Sequence, residues 1–350
     1  MKRLVQAAVM AGALFWGAAA WAFQDPMETP SAPSRLAARA PLMAIQKVGD
    51  HLVAVGRRGH IVVSDVGGAN WTQAQVPVSV DLLALHFVSD SQGWAVGHDG
   101  VVLHSADGGK SWSKQTDGVA LAQAALAHYQ ARLSGGDKAA EDWVKLSQGL
   151  VADGADKPLL SVWFQDALVG YVSGAFNLLF RTTDGGKSWE PLLDRVDNPQ
   201  ALHLYALAGD ENAVYIAGEQ GLLVRQMKGE TRFKALETPY KGSFFGLVVR
   251  GNELLLHGMR GNAYLSSDGA ANWRKLPVPS ISGLNAAALG ANGEIFLASQ
   301  GGELLISADK GASFVARRAA RPMPYFGLVL LEKRTTALVG FGGAGVETWQ

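Results

Sequence analysis

The chain contains no cysteine, which excludes disulfide bonds, thiolate metal sites and a cysteine nucleophile. It also has no excess charge, because 31 basic residues balance 31 acidic ones. A nucleic-acid partner is therefore not expected, since nucleic-acid binders present a basic surface. The eight histidines lack the short spacings of metal ligands, and no phosphate-binding glycine-rich loop occurs in the sequence. We expect neither a metal nor a cofactor.

Long apolar runs are also lacking, except at the start of the chain. Lys2 and Arg3 precede an apolar run over 4–20, and Ala20-Trp21-Ala22 has the small residues of a cleavage site. This pattern predicts a signal peptide over residues 1–22 and a mature domain over 23–350, with an uncleaved membrane anchor as the alternative. No later segment has the length of a transmembrane helix. We expect a periplasmic protein, or a secreted one.

Glycine and apolar residues are abundant, with 42 glycines and 48% hydrophobic residues. The sequence S-A-D-G-G-K-S-W from Ser105 to Trp112 recurs as T-T-D-G-G-K-S-W from Thr182 to Trp189. Less regular copies occupy 64–71, 266–273 and 307–314. The copies follow a repeat of about 41 residues, which is typical of propeller blades. The repeat predicts the fold better than the function.

Short apolar runs separated by turn residues repeat seven times, which predicts strands rather than helices. We therefore predict an all-β fold, a seven-bladed β-propeller with four strands in each blade. The seventh repeat lacks a fourth strand. Because unpaired sheet edges are a liability, we predict that an N-terminal strand near residues 33–40 closes the last blade.

The Asp motif is predicted to form the hairpin between the third and fourth strands. An aspartate in a turn accepts backbone hydrogen bonds, glycine provides a positive φ, and the closing aromatic ring is buried. We assign these residues a structural role and expect no catalytic residue among them, because a catalytic constellation normally occurs only once. They are Asp107, Trp112, Asp184, Trp189, Asp268, Trp273, Asp309 and Phe314.

One segment interrupts the repeat between the second and third blades. Its alanine-rich composition predicts a helical insertion over about 118–157, broken at Gly135-Gly136. The insertion is expected on the face opposite the Asp motifs. Long loops on a rigid scaffold often carry function, but the insertion can equally serve only as a cover for that face.

The turns between the second and third strands share the face of the insertion. They carry charges of both signs with aromatic residues between them, which is typical of a protein-binding surface. Simple contact with water also explains polar turns, so both interpretations stay open. The predicted partner-binding residues are Arg57, Arg58, His98, Asp99, Glu219, Gln220, Tyr240, Arg260 and Tyr325.

The repeated motif resembles the Asp-box, or BNR, repeat. Together with the V-G-x-x-G strands at Val55 to Ile61 and Val96 to Val101, it resembles the photosystem II assembly and stability factor family over 41–350. The resemblance implies an exported, non-enzymatic propeller that binds a membrane-complex subunit, in photosynthesis or, in other bacteria, as a transport accessory. It also implies an arginine patch, for which Arg57, Arg58 and Arg260 are candidates. We expect a monomer.

The alternative function is a sialidase-like glycoside hydrolase, because sialidases share the Asp motif. Their chemistry requires an arginine cluster, an acid and a tyrosine nucleophile. The chain has no Arg-Ile-Pro motif before the first repeat, and Tyr325 with Glu219 is a pair that no spacing supports. We therefore expect a protein that is not an enzyme.

Overall fold

A computed structural model describes residues 24–65, 67–318, 322–332 and 334–349. The predicted signal peptide over 1–22 lies outside the described residues. Within them the protein is mostly β-sheet with two α-helices and several short 3-10 turns. None of the helical segments in these ranges has the length and apolar character required to cross a bilayer.

The described residues form seven antiparallel sheets, each made of strands that are consecutive in the chain. The first three sheets have four strands each: β1 Leu42–Val48, β2 His51–Gly56, β3 Ile61–Asp65, β4 Trp71–Gln73; β5 Leu82–Phe87, β6 Gly93–Gly97, β7 Val102–Ser105, β8 Ser113–Thr116; β9 Leu159–Phe164, β10 Gly170–Gly174, β11 Leu179–Thr182, β12 Glu190–Pro191. Each sheet coincides with one repeat of the sequence.

The fourth to sixth sheets also have four strands, whereas the described part of the seventh has three. Their strands are β13 Leu204–Gly209, β14 Ala213–Gly218, β15 Leu223–Met227, β16 Lys234–Ala235; β17 Phe244–Arg250, β18 Glu253–Gly258, β19 Ala263–Ser266, β20 Arg274–Lys275; β21 Leu284–Leu289, β22 Ile295–Ser299, β23 Glu303–Ser307, β24 Val315–Arg318; β25 Tyr325–Leu331, β26 Thr335–Gly340, β27 Gly343–Thr348. The seventh sheet therefore leaves one edge of β27 without a partner strand among the described residues.

The seven sheets form a closed ring. The first strand of each sheet contacts the first strand of the next, and β25 contacts β1. The second strand of each sheet is buried almost throughout, as the run of five buried residues in β6 illustrates. A strand covered on both faces has no need of polar residues, which explains its continuous apolar sequence.

Side chains of the inner strands connect neighbouring sheets by hydrogen bonds. Gln46 donates its Nε2 to the Phe87 carbonyl at 3.1 Å, and its Oε1 accepts the Phe87 N–H at 2.9 Å. His86 Nδ1 accepts the Phe164 N–H at 3.1 Å. Burial lowers the pKa of His86 to about 4, so the ring stays neutral and keeps this acceptor. These bonds fix the spacing between adjacent sheets.

The prediction that a strand near 33–40 completes the seventh sheet is wrong. Residues Ala37–Arg39 form a 3-10 turn, and the seventh sheet has the order β25-β26-β27. Ala37 is buried in a cluster with Leu42 and Val339, which belong to the first and seventh sheets. The ring is therefore closed by side-chain packing, because this segment inserts an apolar face between the two sheets instead of extending along β27.

The Asp motif forms the predicted hairpin turn. Asp107 Oδ1 accepts the Lys110 and Ser111 N–H groups, each at 3.0 Å, and the Ser105 hydroxyl at 2.8 Å. Its Oδ2 accepts the Ser111 hydroxyl at 2.6 Å. The Trp112 ring is buried and donates its Nε1 to the Gly109 carbonyl at 2.9 Å. The carboxylate is thus fully used inside its own turn.

The carboxylate hydrogen bonds recur in three further hairpins, at Asp184, Asp268 and Asp309, but within the described residues the closing aromatic rings of these hairpins lack the Nε1 bond of Trp112. Hydrogen bonds from the Asn272 side chain and backbone, followed by the Ser266 hydroxyl, lower the pKa of Asp268 to about 2. In the first hairpin, where the aspartate is one position early, Asp65 has longer contacts of 3.2 to 3.4 Å. The copies that keep the regular motif sequence therefore have the shorter hydrogen bonds to their aspartate.

Two helices lie between the second and third sheets, α1 Gly118–Ser134 and α2 Glu141–Asp153. Tyr129 of α1 is fully buried and donates its hydroxyl to Asp194 Oδ1 at 3.0 Å. Arg132 binds the other oxygen of Asp194 at 2.6 Å. Since Tyr129 shares one apolar cluster with Trp94 and Phe164, the helices are part of the core and not only a cover.

Candidate partner-binding face

Five turns between second and third strands have the same backbone structure, and we call them together the turn face. In the first of them His60 donates its N–H to the Arg57 carbonyl at 3.1 Å, and the other four close in the same way. Each turn contacts the first strand of the following sheet, so all five occupy equivalent places around the ring. They are Arg57–Gly59, His98–Gly100, Ala175–Asn177, Glu219–Gly221 and Met259–Gly261.

The middle residue of every turn on this face has a left-handed backbone although it is not glycine. The φ angles are 57° at Arg58, 56° at Asp99, 53° at Phe176, 52° at Gln220 and 57° at Arg260. A side chain in this region costs about 1 to 2 kcal/mol per residue. Left-handed residues other than glycine also occur in the Asp motifs, at Ala270 and Lys310, so what distinguishes these five positions is their equivalent place around the ring.

The third position of these turns is glycine in four of the five. A Cβ atom at Gly59 would lie 2.1 Å from the Val78 carbonyl oxygen, because the following loop crosses the turn at close range. In the third sheet Asn177 takes this position, and its Nδ2 donates to the Leu193 carbonyl at 2.9 Å. The close approach of the loop therefore fixes the backbone of each turn, whereas the middle residue differs from one turn to the next.

The arginine part of the turn face lies at the first and fifth turns. Arg57, Arg58 and Arg260 are exposed, as the sequence predicts for a binding surface. Asp81 holds the first turn, since its Oδ1 accepts the Arg58 N–H at 2.9 Å and its Oδ2 lies 3.6 Å from Arg57 Nε. Burial raises the pKa of the neighbouring Asp99 carboxyl. Of the second turn, His98 is exposed and Asp99 half-buried.

An aromatic row runs from the third turn towards the fifth sheet. Phe176 is 54% exposed, and its ring meets His203 edge to face with centroids 4.6 Å apart. Tyr205 and Phe245 continue the row, with successive centroids 6.1 and 6.2 Å apart. Lys157 Nζ lies 5.9 Å from the Phe176 centroid. An exposed phenylalanine with neighbouring aromatic rings offers a site for an apolar or aromatic side chain.

Glu219 is held inside the protein more firmly than the sequence indicates. Its Oε2 accepts the His203 N–H at 2.8 Å, and its Oε1 lies 3.4 Å from the Tyr205 hydroxyl. His203 Nδ1 in turn accepts the Phe176 N–H at 3.0 Å. Glu219 therefore positions the aromatic row, whereas Gln220 beside it is exposed.

The two predicted tyrosines differ from this pattern. Tyr240 donates its hydroxyl to the Met259 carbonyl at 3.2 Å and supports the fifth turn. Tyr325 is only 1% exposed, so its prediction as a partner contact is wrong. As the first residue of β25 it packs with Phe296 and Leu338, on the inward face of the strand.

The burial of Tyr325 also bears on the glycosidase alternative. Its hydroxyl has no hydrogen-bond partner among the described residues, Glu219 included. Burial raises the pKa of Tyr325 to about 12, which is the wrong direction for a nucleophile. The described ranges also contain no group of three acidic or histidine residues arranged to hold a metal ion.

Reasoning from sequence missed Tyr205, Phe245 and Asp81 as parts of this face. The first two alternate with core residues in β13 and β17, and Asp81 directly precedes β5. Alternation in a strand indicates which side chains share a face, but not that two faces from different sheets meet. Phe176 was visible only as one residue of a turn, because its strain is a property of the backbone.

A protein-family model described as photosynthesis system II assembly factor YCF48 matches residues 63–145 and 137–284. The chain belongs to this family. No curated protein sequence matches the chain.

Two YCF48 structures are similar to the chain over most of their length. YCF48 bound to D1 peptide has a TM-score of 0.64 at 17% identity, covering 89% of this chain and 94% of that one. YCF48 from Cyanidioschyzon merolae has a TM-score of 0.63 at 14% identity, covering 90% and 96%. The WD40 β-propeller domain of Doa1 has a TM-score of 0.61 at 11% identity, covering 92% and 95%. The fold is thus a β-propeller.

Proposed function

We propose that this chain is an exported, non-catalytic protein-binding factor that assists the assembly or stability of a membrane-protein complex. The observation that carries this proposal is the turn face, where five equivalent turns place non-glycine side chains around the ring and leave Arg58, Phe176, Gln220 and Arg260 exposed. Exposed arginine and aromatic side chains are typical of protein-binding surfaces. Membership of the YCF48 family and the D1 peptide bound by one YCF48 protein support a protein ligand.

In this proposal each of the seven sheets is one blade, and α1 and α2 are an insertion between the second and third blades. Residues 1–22 are a signal peptide that is removed on export, so the protein acts as a monomer in the periplasm. The partner is a subunit of a membrane complex. In a photosynthetic host this is a photosystem II subunit, and in another host a component of a transport system.

The chemistry of the turn face favours a polypeptide ligand with acidic and aromatic residues. Exposed Arg58 and Arg260 offer guanidinium groups for carboxylates, and Phe176 offers a ring for an apolar side chain. Arginine and aromatic residues are the side chains that dominate binding energy at protein interfaces. Catalysis would need an activated nucleophile, which the buried Tyr325 does not provide.

Site-specific crosslinking in the native cell envelope tests the proposal. A photoreactive residue replaces Phe176, and a matched one replaces Leu168, which is 58% exposed in the turn between β9 and β10. We expect the first variant to capture one membrane-complex subunit, identified by mass spectrometry, and the second not to capture it. Equal capture by both variants, or capture by neither, contradicts the assignment. A turnover assay with sialosides should show no hydrolysis.

A further inference from the structure

The third strand of the seventh sheet lacks a side chain that the other six sheets have. Its Gly345 pairs with Leu338, as Leu103 pairs with Ala95 in the second sheet. At this register position the other sheets carry apolar residues that face the preceding sheet, namely Val62, Leu103, Phe180, Val224, Tyr264 and Leu305. Gly345 therefore leaves unfilled a place that is packed elsewhere in the ring.

Gly345 lies beside a groove between the sixth and seventh sheets, whose lining includes its pairing partner Leu338. A Cβ atom at Gly345 would have no neighbouring atom within 4 Å. The groove has a volume of about 240 Å³ and is lined by Leu338, Glu347, Trp349 and Arg318, among others. Glu347 and Trp349 follow Gly345 at alternate positions, so the three residues share one face of the chain.

Beyond Gly343, where Ala38 packs closely against it, the same strand has an edge without a partner strand among the described residues. In the second and third sheets the equivalent residues pair with a fourth strand, Leu103 with Lys114 and Phe180 with Pro191. Within the described ranges nothing pairs with the outer edge of β27. An exposed edge presents backbone N–H and C=O groups that accept an added strand. The six complete sheets show the register that such a strand would take.

Two side chains indicate the chemistry of the occupant. The Trp349 ring packs on Phe296 with centroids 4.9 Å apart, and its buried Nε1 has no hydrogen-bond partner among the described residues. Arg318 ends β24, a strand that is exposed along its whole length. The groove thus combines an apolar floor, a donor without an acceptor and a guanidinium group at the rim.

We propose that the edge of β27 and the groove beside it bind an extended peptide segment of a partner protein as the fourth strand of the seventh sheet. An apolar side chain of this peptide, opposite Gly345, occupies the groove, and a carboxylate two positions away meets Arg318. A second copy of this chain fits less well. Its own β27 offers glycine at 345, while Val346 packs in the cluster with Leu42, and Trp349, which follows the strand, already packs on Phe296.

This surface is separate from the turn face, so it would give the protein a second contact with its partner. Its test uses a fluorescent nine-residue peptide with threonine at odd positions and valine and glutamate alternating at even ones. A control peptide has lysine in place of glutamate. We expect the acidic peptide to bind at least tenfold more tightly by fluorescence anisotropy and to slow amide hydrogen exchange over 343–348.

Two variants identify the site. Gly345→Leu fills the groove as Leu103 and Leu305 do, and we expect an unchanged or higher Tm with at least tenfold weaker peptide binding. Arg318→Glu should weaken binding by a similar factor. The matched control is Lys275→Glu, an exposed basic residue on the outer strand of the fifth sheet, which should have no effect.

The proposal is overturned by unchanged affinity in both variants, by absence of binding to the acidic peptide, or by a dimer in sedimentation that Gly345→Leu dissociates. Because Arg318→Glu lies on the surface, it keeps the test valid if Gly345→Leu does not fold. Arg58→Gly on the turn face should leave peptide affinity unchanged. Loss of binding in that variant would place the peptide on the turn face and also contradict a site at β27.

Discussion

The ring carries two sets of repeated tight turns that use their polar residues in opposite ways. In the Asp motif the carboxylate of Asp107 accepts hydrogen bonds from its own turn, and nothing is left to offer a ligand. On the turn face the middle residue is strained and its side chain is directed by no such bonds, as at Arg58 and Arg260. The Asp motif therefore uses its carboxylate to stabilise its own turn, whereas the turn face leaves side chains exposed to solvent. Left-handed non-glycine residues occur in both sets, since Ala270 and Lys310 of the Asp motifs have φ angles of 73° and 56°.

This difference predicts that changes in the two sets of turns alter stability in opposite directions. The strongest effect is expected for Trp112→Ala, because the ring closes the Asp motif and is only 7% exposed. Truncation of a buried tryptophan costs about 3 to 5 kcal/mol. Urea unfolding measures this loss. The matched control Trp273→Ala should lose less, since Trp273 is only partly buried; equal losses would mean that burial does not set the contribution of these rings.

Within the Asp motifs, the regular turn should depend on its aspartate more than the irregular one. Asp107→Ala leaves two backbone N–H groups without their acceptor, and we expect a loss of about 1 to 2 kcal/mol. Asp65→Ala should cost less, because the contacts of Asp65 are 3.2 Å or longer. Thermal unfolding of the two variants measures the difference. A larger loss for Asp65→Ala would break the link between regularity and stability.

The Asp motifs also predict a response to acid. The pKa of Asp268 in the folded protein is about 2, below the 3.8 of an unperturbed aspartate, so its contribution to stability is present above pH 4 and is lost as the pH falls towards 2. Urea unfolding from pH 6 to pH 2 should therefore show a decline that is smaller in Asp268→Asn. If the free energy of unfolding declined equally with pH in both proteins, the Asp268 carboxylate would not contribute to stability.

The smallest and most diagnostic effect is expected on the turn face. Arg58→Gly removes a left-handed non-glycine residue, and we expect a change in stability of less than about 1 kcal/mol, towards higher stability if relief of strain exceeds the added chain entropy. Partner capture should fall in the same variant. The control Gly59→Ala should be clearly destabilised, because its Cβ would meet the Val78 carbonyl at 2.1 Å. If Arg58→Gly lost stability but still captured the partner, the turn face would serve the fold and not binding.

Sequence reasoning was strongest where one pattern repeats. The strands and the Asp motifs follow from local rules, since hydrophobic spacing and the turn residues at Asp107 and Trp112 determine them over a few positions. The predicted role of these residues agrees with their hydrogen bonds. The partner-binding role of the exposed turn residues stays a prediction.

Contacts between distant segments were the part that sequence could not supply. The segment around Ala37 has the composition of an edge strand, yet it packs as a turn between two sheets. Tyr325 was predicted as an exposed partner-binding residue, but its place in β25 turns its side chain into the core. In both cases the outcome depends on which faces of distant strands and turns pack against each other, and the pattern of residues along the sequence does not contain that information.

The sheets are each made from consecutive strands, and this has a consequence for how the chain is made. A polypeptide that emerges from its N-terminus can complete one sheet before the next is synthesised, because pairing partners lie within a few dozen residues. The contacts of β1 with β25 and β26, and of Ala37–Arg39 with β27, must wait for the last part of the chain. Until then the apolar flank of β1 around Leu42 and Ile45 stays uncovered, so an aggregation-prone surface persists at the oldest end of the nascent protein.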